Sequence, residues 1–172
     1  MKHFLSIILT LTLSMSAAAE VRQDFVGLLV NTLQESGGST AAGEDKDYEC
    51  VTVSPNMMGK VLEQAENSGS KQNEQLRKVL PNIKSLRIFT ASRHANRYSE
   101  AAEKLLSQYS TTYKPYRGPA QDKRKPCIWL RKNKARVIEI IMLTMSKGEE
   151  TFQVLNFTGN MTKEFVTDLL KI

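Results

Sequence analysis

The last third of this chain limits its fold more than any other stretch. Three β-rich runs, Pro126 to Arg131, Arg136 to Met145 and Thr151 to Phe157, follow one another with short gaps. Asn133-Lys134 and Lys147-Gly148-Glu149 supply the turn residues between them. Connections this short leave no room for the crossover that parallel strands need, so the three runs form an antiparallel meander.

Upstream, the apolar period lengthens to that of a helix. Val21, Phe25, Leu28, Leu29 and Leu33 share one helical face, and Ser36-Gly37-Gly38 ends it. Residues 36–47 are small and polar and read as a loop. Glu49 to Val53 is a short β-branched strand, and Ser54-Pro55 then offers an N-cap and a first-turn proline. Met58, Val61, Leu62 and Ala65 continue at helical spacing to a stop at Ser68-Gly69-Ser70. Leu76, Val79 and Leu80 suggest a short helix before Pro81, and Ser85 to Thr90 is the next strand. Tyr98, Ala102, Leu105, Leu106 and Tyr109 mark a further helix, ending in a turn with Tyr113 and Tyr116. Lys114 to Lys125, with two prolines and many charges, reads as a loop. Thr162 caps a last helix carrying Phe165, Val166, Leu169 and Leu170. The order is α-β-α-β-α-β-β-β-α. The first two strands, with the helix between them, suit a right-handed parallel unit. The expected fold is a single α+β domain over residues 20–172. It has a mixed β-sheet of about five strands, with a C-terminal antiparallel meander, packed with helices.

Side-chain alternation then assigns faces. A hairpin closing on Asn133-Lys134 puts Trp129 opposite Ile138 and Ile128 opposite Glu139. Glu139 is expected to avoid the dry face, because an unpaired buried carboxylate is costly. Cys127, Trp129, Ile138, Ile140 and Met142 are therefore expected to face the helices. Ile128, Leu130, Ile141, Leu143, Phe152 and Val154 form an opposite face too apolar for open water. The first helix covers it, or a partner or ligand does, a second copy in a homodimer included.

The N-terminus has the pattern of an export signal. Lys2 and His3 precede an apolar run from Phe4 to Met15, and small residues at Ala17 and Ala19 precede Glu20. Residues 1–19 are read as a signal peptide cleaved after Ala19. The run is too short to cross a bilayer, which needs about 20 apolar residues. No cysteine follows the signal to carry a lipid. A periplasmic or secreted protein is expected, with no transmembrane segment in the mature chain.

Charge is uneven. Lys114, Arg117, Lys123, Arg124, Lys125, Arg131, Lys132, Lys134 and Arg136 fall in one stretch whose only acid is Asp122. The stretch is expected to form one positive end of the molecule. It serves as a solubilising surface or meets an anionic envelope component or an acidic protein. Export argues against nucleic acid. Two cysteines, Cys50 and Cys127, are left either to bridge in an oxidising compartment or to remain free.

Familiar catalytic constellations are missing. His94 is the only histidine after the signal and sits in a polar stretch, without the base and orienting group that nucleophilic catalysis wants. Glu100 with Glu103, and Glu149 with Glu150, are close acid pairs on surfaces where solvated charge is the ordinary state. No zinc spacing, calcium loop or phosphate loop occurs, and no metal or cofactor is expected.

Val51 to Met58 (VTVSPNMM), Ser85 to Thr90 (SLRIFT) and Phe157 to Leu170 (FTGNMTKEFVTDLL) resemble the domain of unknown function 4252 family of small exported bacterial proteins. The resemblance implies an exported α+β domain, bacterial origin and a loose link to cell-envelope regulation. It brings no catalytic residues. Members with a lipid-attachment cysteine differ from this chain. The functional expectation is an exported, non-catalytic binding or regulatory domain of the envelope. The alternatives are an envelope hydrolase with an unrecognised acidic or thiol site, or an accessory subunit of a larger complex.

Overall fold

The computed structural model describes residues 23–35, 47–66, 80–117, 126–146, 148 and 150–169. The signal segment 1–19, the loop after Ser36, the helix stop at Ser68–Ser70, the short helix around Leu76, and Lys123, Arg124 and Lys125 lie outside the described residues. The elements, in order, are α1 (Phe25–Glu35), β1 (Tyr48–Val53), α2 (Pro55–Glu66), a 3₁₀ turn (Leu80–Asn82), β2 (Ile83–Ala91), α3 (Ala95–Gln108), β3 (Tyr113–Arg117), β4 (Cys127–Asn133), β5 (Arg136–Met145), β6 (Phe152–Met161) and α4 (Lys163–Leu169).

Local chemistry starts the helices where the sequence indicates. Ser54 Oγ accepts the Met57 N–H at 3.4 Å, with Pro55 in the first turn, and Thr162 Oγ1 accepts the Phe165 N–H at 3.2 Å. Asp24 caps α1, its Oδ1 accepting the Gly27 N–H at 2.8 Å.

The domain is α+β, and its six strands form one sheet in the order β1-β2-β6-β5-β4-β3. Every neighbouring pair is antiparallel, so the sheet is not mixed. The expected parallel unit fails because α2 is an excursion, not a crossover. β1 ends at Val53 opposite Leu86, near the start of β2, so the chain re-enters the sheet at the end where it left. The true crossover is α3, which carries the chain from β2 to the far edge at β3.

β3 is the strand the sequence conceals. Tyr113 to Arg117 reads as turn and loop because it holds Lys114 and Pro115, yet it pairs with β4. Proline is tolerated there because β3 is an edge strand. The strand read as ending at Phe157 continues to Met161 as β6. Gly159 is required in that strand, because a Cβ there would collide with the carbonyl oxygen of Asn82.

One bulge reverses the expected faces. Lys132 pairs with Val137, but Arg131 pairs with Glu139, so Ile138 is an extra residue. Beyond it Trp129 lies opposite Ile141 and Ile128 opposite Met142. A one-residue slip sends every later side chain to the other side. Glu139, Ile141 and Leu143 therefore share a face with Arg131, Trp129 and Cys127, while Ile128, Leu130, Ile140 and Met142 share the other.

Helices cover both faces. On the first, Phe25, Val26, Leu29 and Leu33 of α1 and Tyr98, Ala102, Leu105 and Leu106 of α3 pack on Phe89, Ile141, Leu143, Phe152 and Val154. Coverage of those last four strand residues by the protein's own first helix is thus observed. On the second face, Met58 of α2 and Phe165 and Val166 of α4 pack on Ile128, Leu130, Ile140, Phe157 and Met161. Each such fully buried apolar side chain contributes about 1.5–3 kcal/mol.

Candidate functional site

Against expectation, Glu139 is fully buried, with 0% of its surface exposed. The bulge aims it at the first turn of α1, whose early N–H groups lack intrahelical partners. Glu139 Oε1 accepts the Phe25 N–H at 2.6 Å, and Asn156 Oδ1, also fully buried, accepts the Val26 N–H at 3.2 Å. Asn156 Nδ2 donates to Glu139 Oε1 at 2.9 Å. Arg131 Nε lies 2.8 Å from Glu139 Oε2, an ion pair rather than an aligned hydrogen bond. The Tyr113 hydroxyl donates to the same oxygen at 3.5 Å.

Burial pushes the Glu139 carboxyl above its ordinary range, while Arg131, the Phe25 N–H and Asn156 pull the other way. Its hydrogen-bond and ion-pair partners are all donors, which offsets part of the cost of burying the carboxylate. Burial, and next the Glu139 charge, push the Tyr113 phenol well above its ordinary range and keep it protonated. A negative charge under a helix N-terminus is also favoured by the helix dipole. Outside this cluster Asp24 accepts from Arg87 at 2.7 Å, which pins the cap of α1 to β2. The whole arrangement is spent on holding α1 to the sheet.

The opposite face is less completely covered. Val51, Ile88, Leu155, Met142 and Ile128 lie side by side across β1, β2, β6, β5 and β4. Ile128 is buried, Met142, Leu155 and Ile88 are half-buried, and Val51 is 48% exposed. On one side of this row Val53, Leu86, Phe157, Ile140 and Leu130 meet α2 and α4. On the other side stand Glu49, Thr90, Gln153 and Thr144. The row ends at β1, whose outer edge is unpaired among the described residues, and Met57 nearby is 50% exposed.

Lys123, Arg124 and Lys125 of the basic stretch lie outside the described residues, and the other six are placed as follows. Arg131 points inward to Glu139. Lys132, Lys134 and Arg136 are exposed at the β4–β5 turn. Lys114 is exposed on β3, while Arg117 lies at the other end of that strand, opposite Ile128. Asn133 lies five residues along β4 from Ile128, so about 17 Å of strand separates the position of Arg117 from the β4–β5 turn. Of the two alternatives for Cys50 and Cys127, the unbridged one holds: no disulfide joins them. β2, β6 and β5 stand between their strands, a separation of about 19 Å by strand spacing, against the ~7 Å limit for a bridge.

His94 is exposed, occupies the position before α3 with φ 52°, and lies 3.8 Å from Asp47. With Arg93, Arg97 and Glu150 it lines an open hollow of about 550 Å³. Among the described residues no group of three His, Cys, Asp or Glu stands close enough to hold a metal ion. None of their helices is long and apolar enough to cross a membrane. The sequence reading missed Glu139, Asn156, Asp24 and Arg87. The available signal was opposite charge at Arg131 and Glu139 on adjoining strands of a hairpin.

These features define a single antiparallel sheet with helices on both faces and one helix locked by buried charge. The chain belongs to the family described as Domain of unknown function (DUF4252), whose model matches residues 42–169. No curated protein matches the chain. A solved structure titled "Structure of crystal form III of TP0453" is similar at 8% identity and a TM-score of 0.22. That match covers 78% of this chain and 53% of the solved one, so the chain spans about half the length of the structure it resembles.

Proposed function

We propose that this chain is an exported, non-catalytic protein-binding domain of the bacterial cell envelope. The observation that carries the reading is the half-covered apolar row from Met142 to Val51, running out to the open edge of β1. Water-facing apolar surface continuous with an unpaired strand edge suits a protein partner, which covers the row and extends the sheet. Of the charged residues best placed for chemistry, Glu139 is engaged with α1 and Arg131 with Glu139. Export is supported by the Lys2-to-Ala19 pattern and by the family resemblance.

Two measurements test this. N-terminal sequencing of protein from the native host is expected to begin at Glu20, and a cytoplasmic chain retaining Met1 removes the envelope assignment. A photo-crosslinking residue at Val51 is expected to capture protein in the envelope, and one at Glu103 on the exposed side of α3 is not. Leu155→Lys is expected to abolish capture, while reversing Lys132 and Lys134 to Glu leaves it intact. Equal capture at both positions refutes the apolar-row reading. Loss of capture on charge reversal instead moves the site to the basic turn.

A further inference from the structure

The two edges of the sheet are built differently. β3 carries Lys114 and Pro115, spans five residues and has a register shift between Pro115 and Arg117. These are the devices by which an edge refuses another strand. β1, Tyr-Glu-Cys-Val-Thr-Val, has no proline, no lysine and an unbroken register along six residues. Glu49, Cys50, Val51 and Thr52 are all exposed. Among the described residues one edge is closed and the other is open.

We propose that β1 pairs antiparallel with β1 of a second copy, about a two-fold axis passing beside Cys50. The inference rests on the binding reading above and names the partner. The β1 sequence is self-complementary in this register. Cys50 faces Cys50 of the second copy, Val51 faces Glu49, and Tyr48 faces Thr52, so no like charges oppose each other. The pairing is isologous and uses the one open edge of each copy. With β3 blocked, it closes at a dimer rather than growing into a filament. Both apolar rows then join into one surface across the axis.

The exposed Cys50 thiol reports the geometry. Directly opposed residues in an antiparallel pair have Cα atoms about 4.5–5.5 Å apart, inside the ~4.4–6.8 Å range of a disulfide. A disulfide such as oxidised glutathione can trap the pair by exchange. One Cys50 thiolate attacks the glutathione disulfide and releases one glutathione. The thiolate of the second Cys50 then displaces the other glutathione and forms the inter-copy S–S bond. One S–S bond breaks, one forms, and two protons pass from protein to glutathione. Cys127, half-buried on β4, takes no part.

The experiment uses purified protein. Reduced protein is expected to sediment as a concentration-dependent dimer. Oxidised glutathione should yield a covalent dimer that Cys127→Ser keeps and Cys50→Ser loses, while Cys50→Ser still sediments as a dimer. Val51→Glu sets a carboxylate against Glu49 of the second copy at two symmetric places, so trapping should slow about tenfold. Val51→Lys makes attractive pairs there and should trap at least as fast as the parent. Circular dichroism confirms that both variants are folded. Reduced protein that stays monomeric, or equal slowing by Val51→Glu and Val51→Lys, overturns the inference. If Val51 still crosslinks a different envelope protein, the binding reading survives and only the self-pairing falls. If neither occurs, both fall.

Discussion

Replacing Glu139 with leucine is the sharpest test of how α1 is held. The change removes the acceptor of the Phe25 N–H, one partner of Asn156 and the counter-charge of Arg131. Breaking a buried ion pair by deleting one partner costs about 3–5 kcal/mol. The Arg131 side chain keeps 17% of its surface exposed, so water reaches the guanidinium and the cost falls near ~3 kcal/mol. An orphaned Phe25 N–H adds about 1 kcal/mol. Against a total stability of ~5–15 kcal/mol for a small domain, the variant still folds. Arg131→Met costs more, because it strands the carboxylate with no exposure. The double variant leaves only neutral groups unpaired and should cost about 1–3 kcal/mol, less than either single change. Urea unfolding followed by circular dichroism and by the fluorescence of Trp129, the only tryptophan, measures all three. Single-variant losses that simply add in the double, within about 0.5 kcal/mol, would refute the claim that the two charges hold α1 as a unit.

Gly159→Ala should destabilise by about 1–3 kcal/mol in the same assay, because the added Cβ meets the Asn82 carbonyl, which is backbone and cannot swing away. His94→Ala should change stability by no more than about 0.5 kcal/mol, since its side chain is exposed. Burial raises the folded-state pKa of Glu139 above its ordinary value of 4.5. The folded chain then holds that proton more tightly than the unfolded one, so this group's contribution to stability falls as pH rises from about 4.5 through the raised value. Glu139→Gln should remove that part of the slope, seen by comparing urea midpoints of both proteins across the window.

The elements were legible where a local rule fixes them. α3 shows its buried stripe in the sequence because Tyr98, Ala102, Leu105 and Leu106 need only a 3.6-residue period. Ser54 and Thr162 cap as read, because capping needs only neighbours along the chain. The pairing of β1 with β2 was not legible, because nothing in residues 48–53 says on which side the chain returns. The faces of the meander were misread for a sharper reason. Strand periodicity has a memory of two residues, and the single extra residue Ile138 inverts everything after it. The burial of Glu139 followed from that inversion. A rule that keeps carboxylates out of cores is sound for unpaired ones, and this one has four partners, one of them the N-terminus of a helix more than a hundred residues away.

That distance bears on how the domain is bounded. The matched family segment begins at residue 42, yet α1 lies before it and supplies Phe25, Val26, Leu29 and Leu33 to the main core. Glu139 and Asn156, both inside the matched segment, end in hydrogen bonds to α1. A chain starting at residue 42 would lose the burial of four apolar side chains, about 6–12 kcal/mol in all, and would leave a carboxylate facing a vacated groove. Its core on that face should then be unable to close, and the fragment should bind a hydrophobic dye and show no cooperative urea transition. A synthetic peptide of residues 20–41 added to the fragment should restore the transition, because the acceptors for the helix N-terminus are carried by the sheet. The same peptide with Phe25→Asp should not, since the added carboxylate enters beside Glu139 and Phe25 is wholly buried. A fragment as stable as the full chain would show that α1 rides on a domain complete without it.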